Sequence, residues 1–320
     1  MSAQESYERI DGLIAELRAT SKFKREKLDD GREAIRSPEA GEFFIRRVQD
    51  PKEPAVKEIH KLLVKEFSKE EADTPETIRG AVESDIQAYH VVEDAKGRIV
   101  ALSNTEYLRL ESSQDAIVFI SYIVTDSDHR RLGVGSELYP GFYDFAKEKA
   151  KEDQAGIKGV IGEAVGPVES FLNRMGRKRM YFEDEQGNIC EVPYMQAPLD
   201  WDEKTGKSRQ KATPEHLMIR LLDGRQEMQV SELILMVKAI YEENYLFSED
   251  YFQTEKAYQA CEDTVTGHLK DLEQALRKAK NGRIFLMDKT VRNEKQKELA
   301  AQGRKIFEWG KDGQEEIEKE

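Results

Sequence analysis

The sequence predicts an α/β (α+β) protein built on a mixed, mostly antiparallel central sheet with helices on both faces, followed by a C-terminal helical extension. Three observations support this fold class. Long β-rich segments follow one another through the middle of the chain, with short polar turns between them. Segments with apolar residues at helical spacing come before and after these strands. From about residue 226 onward, the helical pattern replaces the strand pattern.

Residues 1–40 are predicted to form an N-terminal helix and a linker at the periphery of the molecule. Tyr7, Ile10 and Ile14 recur at the spacing of an amphipathic helix. The following stretch, residues 22–37, is dense in charged side chains, which favours a linker or an exposed turn.

Residues 41–225 are predicted to form the central domain. Asp94-Ala95-Lys96-Gly97 is typical of a hairpin turn, and Gly176 is placed to end a short helix. A meander of antiparallel strands followed by a crossover indicates one mixed sheet. The expected elements are strands at 42–48, 86–92, 99–110, 116–125, 157–165, 180–182, 189–194 and 216–222, and helices at 55–67, from 75, at 135–150 and at 167–175.

Residues 226–320 are predicted to be mainly helical. One helix is expected around residues 230–241, and a second around 265–276, where apolar residues at 4-3-4 spacing favour a packing seam. Arg283–Met287 is apolar enough for a short strand, and the charged end of the chain from residue 310 is expected to fray.

Composition argues against several classes of function. The net charge of -13 disfavours binding to nucleic acid or to an anionic membrane surface, and it is compatible with a cationic substrate. No segment approaches the roughly 20 apolar residues of a membrane span, and the N-terminus lacks the apolar core of a signal peptide. Two cysteines and five scattered histidines indicate neither a disulfide framework nor a metal site. We therefore expect a cytoplasmic protein without a metal.

The segment from Tyr122 to Ser136 carries the clearest chemical signal. A strand is expected to end there, and after a polar turn two glycines open an amphipathic helix. The N-terminus of a helix presents free N–H groups and a partial positive charge, which suit a pyrophosphate. Gly133 and Gly135 leave room for the phosphates, while Arg130 and Arg131 offer additional donors.

Two other phosphate-binding motifs can be excluded by counting. A dinucleotide-binding fingerprint requires a third glycine at position 138, where Leu138 stands. A P-loop ending at Gly206-Lys207-Ser208 requires an earlier glycine at the position of Trp201, and no apolar strand precedes it.

The segment Arg130-Arg131-Leu132-Gly133-Val134-Gly135 resembles the R/Q-x-x-G-x-G/A motif of GNAT acetyltransferases, and the resemblance covers roughly residues 42–224. It implies that acetyl-CoA is the co-substrate and that residues 116–125 and 157–165 splay apart to admit it. The strand end would hold the pantetheine arm and the amides of residues 131–136 the pyrophosphate. The cofactor-binding residues implied are Ile123, Val124, Thr125, Arg130, Arg131, Leu132, Gly133, Val134, Gly135 and Ser136.

Transfer of an acyl group to an amine requires a base and benefits from a proton donor for the leaving thiolate. Glu163 is the first candidate for the general base, and Glu106 on a neighbouring strand is the second. Many family members place a proton-donating tyrosine four residues before the glycine that ends the short helix, where this chain has Leu172. Tyr181 and Tyr194 are the substitutes considered, although solvent could also protonate the thiolate. An amine pocket in the segment 194–202 is a further hypothesis.

Three functions follow from these patterns. The first is an acyl-CoA-dependent N-acyltransferase that acts on a primary amine, either a small molecule or a protein. The second is a catalytically inactive CoA-binding module that signals or assembles through its C-terminal helices, and the absent tyrosine at Leu172 favours it slightly. The third is a helical interaction protein with a vestigial domain. The C-terminal helices are also candidates for a homodimer contact, and the sequence does not identify the acceptor amine.

Overall fold

A computed structural model describes residues 1–67, 72–111, 113–164, 167–199, 201–208, 210–246, 252–310 and 313–316. The chain divides into two compact units. The first unit holds Met1–Tyr107 and Gln114–Lys158, and the second holds Leu108–Ser113 and Gly159–Glu320. The domain boundaries predicted after residues 40 and 225 do not coincide with these limits.

The sheet of the first unit follows the order of the chain, and the pairings from β1 to β5 are antiparallel. Its strands are β1 (Lys24–Lys27), β2 (Glu33–Ser37), β3 (Gly41–Arg47), β4 (Gln87–Asp94), β5 (Ile99–Arg109) and β6 (Asp115–Thr125). The prediction of a linker or exposed turn at residues 22–37 was wrong, because this stretch supplies the edge strand β1 and its neighbour β2. Ala34 and Ile35 are buried in β2 despite the charged residues around them.

Helices cover both faces of this sheet. Val91 and Leu102 form a cross-strand pair in the apolar cluster that also contains Ile59 of α2 (Ala55–Glu66) and Ile78 of α3 (Pro75–Glu83). The adjacent pair, Val92 and Ala101, packs in a second cluster with Val134 and Leu138 of the 3₁₀ helix Val134–Leu138. Since successive strand residues point to opposite faces, the clusters lie on opposite faces. The predicted fold class is confirmed.

The N-terminal helix α1 (Ala3–Thr20) is an integral part of the first unit, not a peripheral element. The hydroxyl of Tyr7 donates to the carbonyls of Ala150 and Ala155 at 2.9 and 2.8 Å, at the end of α4 (Tyr139–Glu152). The hydroxyl of Ser6 accepts a bond of 3.1 Å from the amide of Ile157. These buried bonds tie α1 to residues almost 150 positions away in the chain.

The strands of the second unit pair in the order β7-β13-β8-β9-β16-β17. In addition, β10 pairs with β13, β15 pairs with β8, and β14 pairs with β15, while β11 and β12 form a separate hairpin. The pairing of β16 with β9 is parallel. The strands are β7 (Gly156–Ala164, mostly in this unit), β8 (Lys178–Glu183), β9 (Ile189–Glu191), β10 (Tyr194–Gln196), β11 (Trp201–Asp202), β12 (Lys207–Ser208), β13 (Thr213–Leu221), β14 (Glu227–Gln229), β15 (Arg283–Met287), β16 (Ile306–Gly310) and β17 (Gly313–Glu316).

The C-terminal region is helical as predicted, and it also contributes strands to the sheet. The strand at Arg283–Met287 is confirmed. The prediction that the chain frays from residue 310 was wrong for residues 313–316, which pair with β16. Residues 317–320 lie outside the described residues. The helices of this unit are α5 (Pro167–Arg174), α6 (Val230–Ile240), the π-helix Tyr241–Tyr245, α7 (Glu255–Leu276), the 3₁₀ helix Lys280–Gly282 and α8 (Lys289–Ala300). Within the described ranges, no helix combines the length and apolarity needed to cross a membrane.

Candidate functional site

The turn that follows β6 is shaped by local interactions. Asp126 accepts a bond of 2.9 Å from the amide of Asp128 and so caps the 3₁₀ helix Ser127–His129. Arg131 and Gly133 then take positive φ angles of 67° and 81°. The chain enters the 3₁₀ helix Val134–Leu138, and α4 begins at once at Tyr139. The single helix predicted at 135–150 is therefore a 3₁₀ turn followed by an α-helix.

Several backbone amides of this turn are free of internal bonds. The amides of Leu132 and Ser136 donate within the turn, at 3.4 and 3.1 Å, to the carbonyls of His129 and Gly133. By contrast, four backbone amides have no hydrogen-bond acceptor in the described part of the chain, namely those of Arg131, Gly133, Val134 and Gly135. We refer to residues 131–135 as the phosphate turn, because its free N–H groups precede a helix, as in known anion sites.

The two glycines are required for different reasons. Gly133 takes a left-handed conformation that strains any residue with a side chain. Gly135 lies against the end of β6, where an added Cβ would come within 2.5 Å of the Thr125 hydroxyl oxygen. The sequence motif therefore encodes the path of the turn as well as access for a ligand.

The structure distinguishes the two arginines of the motif. The Arg130 guanidinium forms an ion pair with Glu66 and donates to the carbonyl of Thr125 at 3.2 Å. Arg131 is exposed, and it forms no ion pair with any residue that the structure describes. Arg131 is therefore the arginine with donors available for a phosphate.

Pro140 fits the helix that starts beside the phosphate turn. It stands in the first turn of α4, where no hydrogen bond from a backbone N–H is needed. The helix therefore accommodates Pro140 without a kink at that position.

Two carboxylates of the first unit accept hydrogen bonds from hydroxyl groups on its strands. The Glu106 side chain is 1% exposed and accepts a bond of 2.5 Å from the Ser121 hydroxyl of β6. Asp73 accepts bonds of 2.8 and 3.3 Å from the hydroxyls of Tyr89 and Tyr122, and burial raises the pKa of its carboxyl. Asp73 was missed in the sequence because an acidic residue before a capping Thr74 resembles an ordinary helix start.

The second unit holds Glu163 near the end of β7, within a network of tyrosines. The Tyr194 hydroxyl donates to Oε1 of Glu163 at 2.5 Å, and the Tyr245 hydroxyl lies 2.6 and 2.8 Å from Oε1 and Oε2. Gln196 adds a longer bond of 3.4 Å. Burial raises the pKa of Glu163, and the bonds from the two phenols act in the opposite direction.

Neighbouring aromatic residues fix these phenols in place. The rings of Tyr194 and Tyr241 stack at a centroid distance of 5.5 Å, and the Tyr241 hydroxyl donates to the carbonyl of Met195 at 2.7 Å. The indole N–H of Trp309 donates to the carbonyl of Tyr194 at 2.9 Å. Tyr241 and Tyr245 belong to the π-helix, an element found often at functional sites. Nothing in the local sequence indicated this contribution.

The remaining candidates for proton transfer are Tyr181 and the position of Leu172. Tyr181 packs in a cluster with Ile189, Met287, Leu299 and Ile306, and burial raises its pKa. Arg179, Glu191 and Arg292 also influence that pKa, so the Tyr181 hydroxyl has charged neighbours. Leu172 packs against Ala164 and Met218, so an apolar contact occupies the position where many family members have a tyrosine.

The predicted site residues fall into two groups. The cofactor-binding candidates and Glu106 all lie in the first unit, whereas Glu163 and Tyr181 lie in the second. Trp201, from the segment proposed as an amine pocket, is buried in the β11–β12 hairpin, and Asp200 lies outside the described residues. Both cysteines are buried as free thiols, and no cluster of metal-ligating side chains occurs among the residues that the structure describes.

Comparison with known proteins gave matches to solved structures only. No family model matches the chain, and no curated protein matches it. An aminoglycoside acetyltransferase from an uncultured soil sample, in complex with sisomicin, is 15% identical with a TM-score of 0.32, over 42% of this chain and 84% of that chain. NAA60 from Arabidopsis thaliana, in complex with acetyl-CoA, is 9% identical with a TM-score of 0.39, over 57% and 99% of the two chains.

An acetyltransferase of the GNAT family from Staphylococcus aureus is 14% identical with a TM-score of 0.34, over 56% of this chain and 99% of that chain. The matching structures are thus of the kind that the motif at residues 130–135 resembles. Similarities this weak establish neither an activity nor a substrate, so the function is derived below from the residues of the two units.

Proposed function

We propose that the protein is an acyl-CoA-dependent N-acyltransferase that transfers an acetyl group from acetyl-CoA to a primary amine by direct attack in a ternary complex. The observation that carries this proposal is the phosphate turn, whose amides at Arg131, Gly133, Val134 and Gly135 have no acceptor within the described residues. The oxygen atoms of a diphosphate group can accept hydrogen bonds from four N–H donors that lie within five residues.

The electrostatics of the turn support an anionic ligand. The 3₁₀ helix Val134–Leu138 begins within the turn and α4 follows it, so free N–H groups at the start of this helical segment contribute a partial positive charge. Arg131 adds a full charge that no described carboxylate neutralises. The chain as a whole is strongly acidic, with a net charge of -13, whereas the phosphate turn contains no acidic residue.

The reaction requires little from the protein beyond positioning and proton transfer. The amine nitrogen attacks the thioester carbonyl, a C–N bond forms, and the C–S bond then breaks to release the thiolate. The proposed contribution of β6 is to hold the pantetheine arm along Ile123–Thr125 and to offer a backbone amide near Val124 to the developing oxyanion. The amine also loses a proton, which a carboxylate takes directly or through water.

Glu163 is the proposed general base. A base must be ionised to accept a proton, and its efficiency rises as its pKa approaches the working pH. Burial raises the pKa of Glu163, while the hydroxyls of Tyr194 and Tyr245 keep the carboxylate in one orientation. Glu106 is the alternative base, and its contact with Ser121 holds one carboxylate oxygen in a similar way.

One observation favours a second candidate function, a CoA-binding module without turnover. Leu172 packs against apolar residues at the position from which a tyrosine could protonate the thiolate. Without a protein acid, release of the thiolate depends on solvent. The module would bind CoA through the same phosphate turn and would not consume acetyl-CoA.

A thiol-release assay separates the two functions. The full-length protein is incubated with acetyl-CoA and a panel of primary amines, including a peptide with a free N-terminus, and free CoA thiol is measured with a disulfide reagent. Cys190 and Cys261 are both buried, so the background from the protein is expected to be low. Amine-dependent thiol release supports the enzyme. Binding of CoA without release for any amine supports the module, and absence of CoA binding excludes both.

A further inference from the structure

A cavity of about 220 Å³ lies in the first unit, away from the phosphate turn and between one face of the sheet and α4. It combines aliphatic, aromatic, cationic and anionic side chains. The lining residues are Ile45, Arg46, Arg47, His90, Gly141, Asp144, Phe145 and Glu148. No role in acyl transfer was assigned to any of them.

His90 forms a buried polar wall of this cavity. Its side chain is 5% exposed, and its Nδ1 has no hydrogen-bond partner among the described residues. The hydroxyl of Ser103, its cross-strand neighbour, is also without a partner in that set. Burial lowers the pKa of His90 to about 3, so the imidazole is neutral at pH 7. Buried polar groups without partners are uncommon and often mark a ligand or water site.

Glycine at position 141 allows α4 to approach the imidazole ring. A Cβ atom added to Gly141 would lie 2.9 Å from Cδ2 of His90 and 3.3 Å from its Nε2. A larger residue would therefore displace the ring from its position beside the cavity. Glycine in the first part of a helix lowers helix stability relative to alanine, and this close approach explains its presence.

Arg47 has hydrogen-bond donors to spare. Its guanidinium stacks over the ring of Phe145 at 4.6 Å, and its ion-pair partner, Glu148, lies at the limit of 4.0 Å. No hydrogen bond from this guanidinium to another described residue is present. Arg46 differs, since Glu53 and Glu93 bind it at 2.7 and 2.8 Å. Of the two guanidinium groups at the cavity, only that of Arg47 is available to a ligand.

Helix α4 places negative charge beside Arg47. Asp144 and Glu148 stand one helical turn apart on α4, and both side chains are at least half exposed. Asp144 is 3.6 Å from Lys147 and 3.9 Å from Arg18, and Glu148 is 4.0 Å from Arg47, distances too long for hydrogen bonds. A ligand therefore meets a guanidinium and two carboxylates that have no hydrogen-bond partner among the described residues.

We propose that this cavity binds a small zwitterion, of the class of α-amino acids with a compact apolar side chain. The carboxylate pairs with Arg47, the ammonium group pairs with Asp144 and Glu148, and the neutral His90 ring lines the cavity beside them. The apolar side chain packs against Ile45 and Phe145. A simple anion would leave the two carboxylates without a donor, and a simple cation would leave Arg47 without an acceptor, so the arrangement favours a molecule that carries both charges.

Calorimetric titration of the full-length protein with L-leucine, in the absence of CoA, tests the proposal. Leucinamide lacks the carboxylate, and 4-methylpentanoate lacks the ammonium group. Each analogue is expected to bind at least about tenfold more weakly than leucine, because one charged partner is lost. No measurable binding of leucine, or equal binding of either analogue, would overturn the proposal.

Variants locate the binding. Arg47→Gln is expected to weaken leucine binding by about tenfold or more, and Glu148→Gln by about threefold to tenfold. Glu152→Gln is the matched control, because Glu152 lies on the same helix, is exposed and does not line the cavity. Circular dichroism melting confirms that each variant is folded. Unchanged affinity in folded Arg47→Gln would place leucine elsewhere, for instance at the amine site of the proposed enzyme, and would refute this assignment.

Discussion

The phosphate turn and the Glu163 network represent opposite solutions to placing polar groups at a functional site. In the turn, four amides have no acceptor within the described residues. Around Glu163, Tyr194, Tyr245 and Gln196 all donate to one carboxylate. A group that must bind a ligand keeps its hydrogen-bonding capacity free, whereas a group that must keep one orientation and pKa uses it within the protein.

The energetic reason for the difference lies in what each group gains from a ligand. Arg131 is exposed and Gly133 is partly exposed, so their amides can exchange water for a ligand, whereas Val134 and Gly135 are buried and their unpaired amides carry a free-energy cost that a bound diphosphate would remove. A desolvated carboxylate costs several kcal/mol unless donors compensate it, and each phenol bond to Glu163 supplies part of this compensation. CoA binding at the turn is therefore expected to be sensitive to changes of shape and charge. The function of Glu163 is expected to be sensitive to the loss of a single hydroxyl group.

Replacement of the carboxylate in the second unit tests its role most strongly. Glu163→Gln keeps the size of the side chain and removes the base, so kcat is expected to fall by about 10²- to 10³-fold while the Kd for CoA changes little. Steady-state kinetics and calorimetry measure the two quantities. Glu106→Gln is the companion variant. A larger loss of kcat in Glu106→Gln than in Glu163→Gln would transfer the role of base to Glu106.

Obstruction of the phosphate turn is expected to weaken CoA binding and to leave the second unit unchanged. Gly135→Val places carbon atoms against the Thr125 hydroxyl and beside the free amides, so CoA affinity should fall by about 100-fold or more, or about 2.7 kcal/mol. Calorimetry measures the affinity, and circular dichroism checks the fold. In Thr125→Ala/Gly135→Ala the hydroxyl is absent, so the backbone has room and part of the affinity should return. Normal affinity in Gly135→Val would contradict the placement of the diphosphate.

Removal of one phenol should shift the pH dependence of the reaction. The Tyr245 hydroxyl stabilises the ionised form of Glu163, so Tyr245→Phe raises the pKa of the carboxyl further. The base is active above its pKa, and activity is lost as the pH falls through it. The acidic limb of the kcat profile should therefore move upward by about one pH unit. A limb that stays in place, in a variant of unchanged melting temperature, would separate Tyr245 from catalysis.

Substitution of the two arginines of the motif, Arg130 and Arg131, is expected to give the smallest effects on CoA binding, and the effect should differ between the two. Arg131→Gln should weaken CoA binding by about fivefold and reduce its salt dependence, because this guanidinium is free to meet a phosphate. Arg130→Gln should have less effect on CoA contacts, since Arg130 is engaged with Glu66 and Thr125. Titrations of both variants with CoA and 3′-dephospho-CoA at two salt concentrations measure the difference. Equal losses in the two variants would show that the ion pair with Glu66 does not distinguish them.

Local signals explain which parts of the fold were predictable. The strands at Ile99–Arg109 and Asp115–Thr125 were predicted to within a residue or two because their apolar runs are long. The charged strand Lys24–Lys27, helix Lys289–Ala300 and strand Ile306–Gly310 were missed. The first strand and the helix carry few apolar residues. The strand Ile306–Gly310 is short, and its pairing with Ile189 and Cys190, more than 100 positions away, leaves no local signal.

The candidate site divides in the same way. The turn at Gly133 and Gly135 was recognisable because strand, turn, glycines and helix are consecutive in the chain. The contact between Glu163 and Tyr245 joins residues 82 positions apart and depends on a π-helix, for which the sequence has no clear signal. The ion pair of Arg130 with Glu66, 64 positions away, also could not be predicted from the local sequence.

The binding of CoA at the phosphate turn is tested most directly by amide resonances. A ¹⁵N-labelled sample of the full-length protein is titrated with CoA, and the backbone signals of Gly133, Val134 and Gly135 are followed in TROSY spectra. Formation of hydrogen bonds to the diphosphate predicts large downfield proton shifts for these three amides, with smaller changes at Leu132 and Ser136, whose amides already donate within the turn. Saturation with CoA that leaves the three signals unmoved would contradict the proposed site.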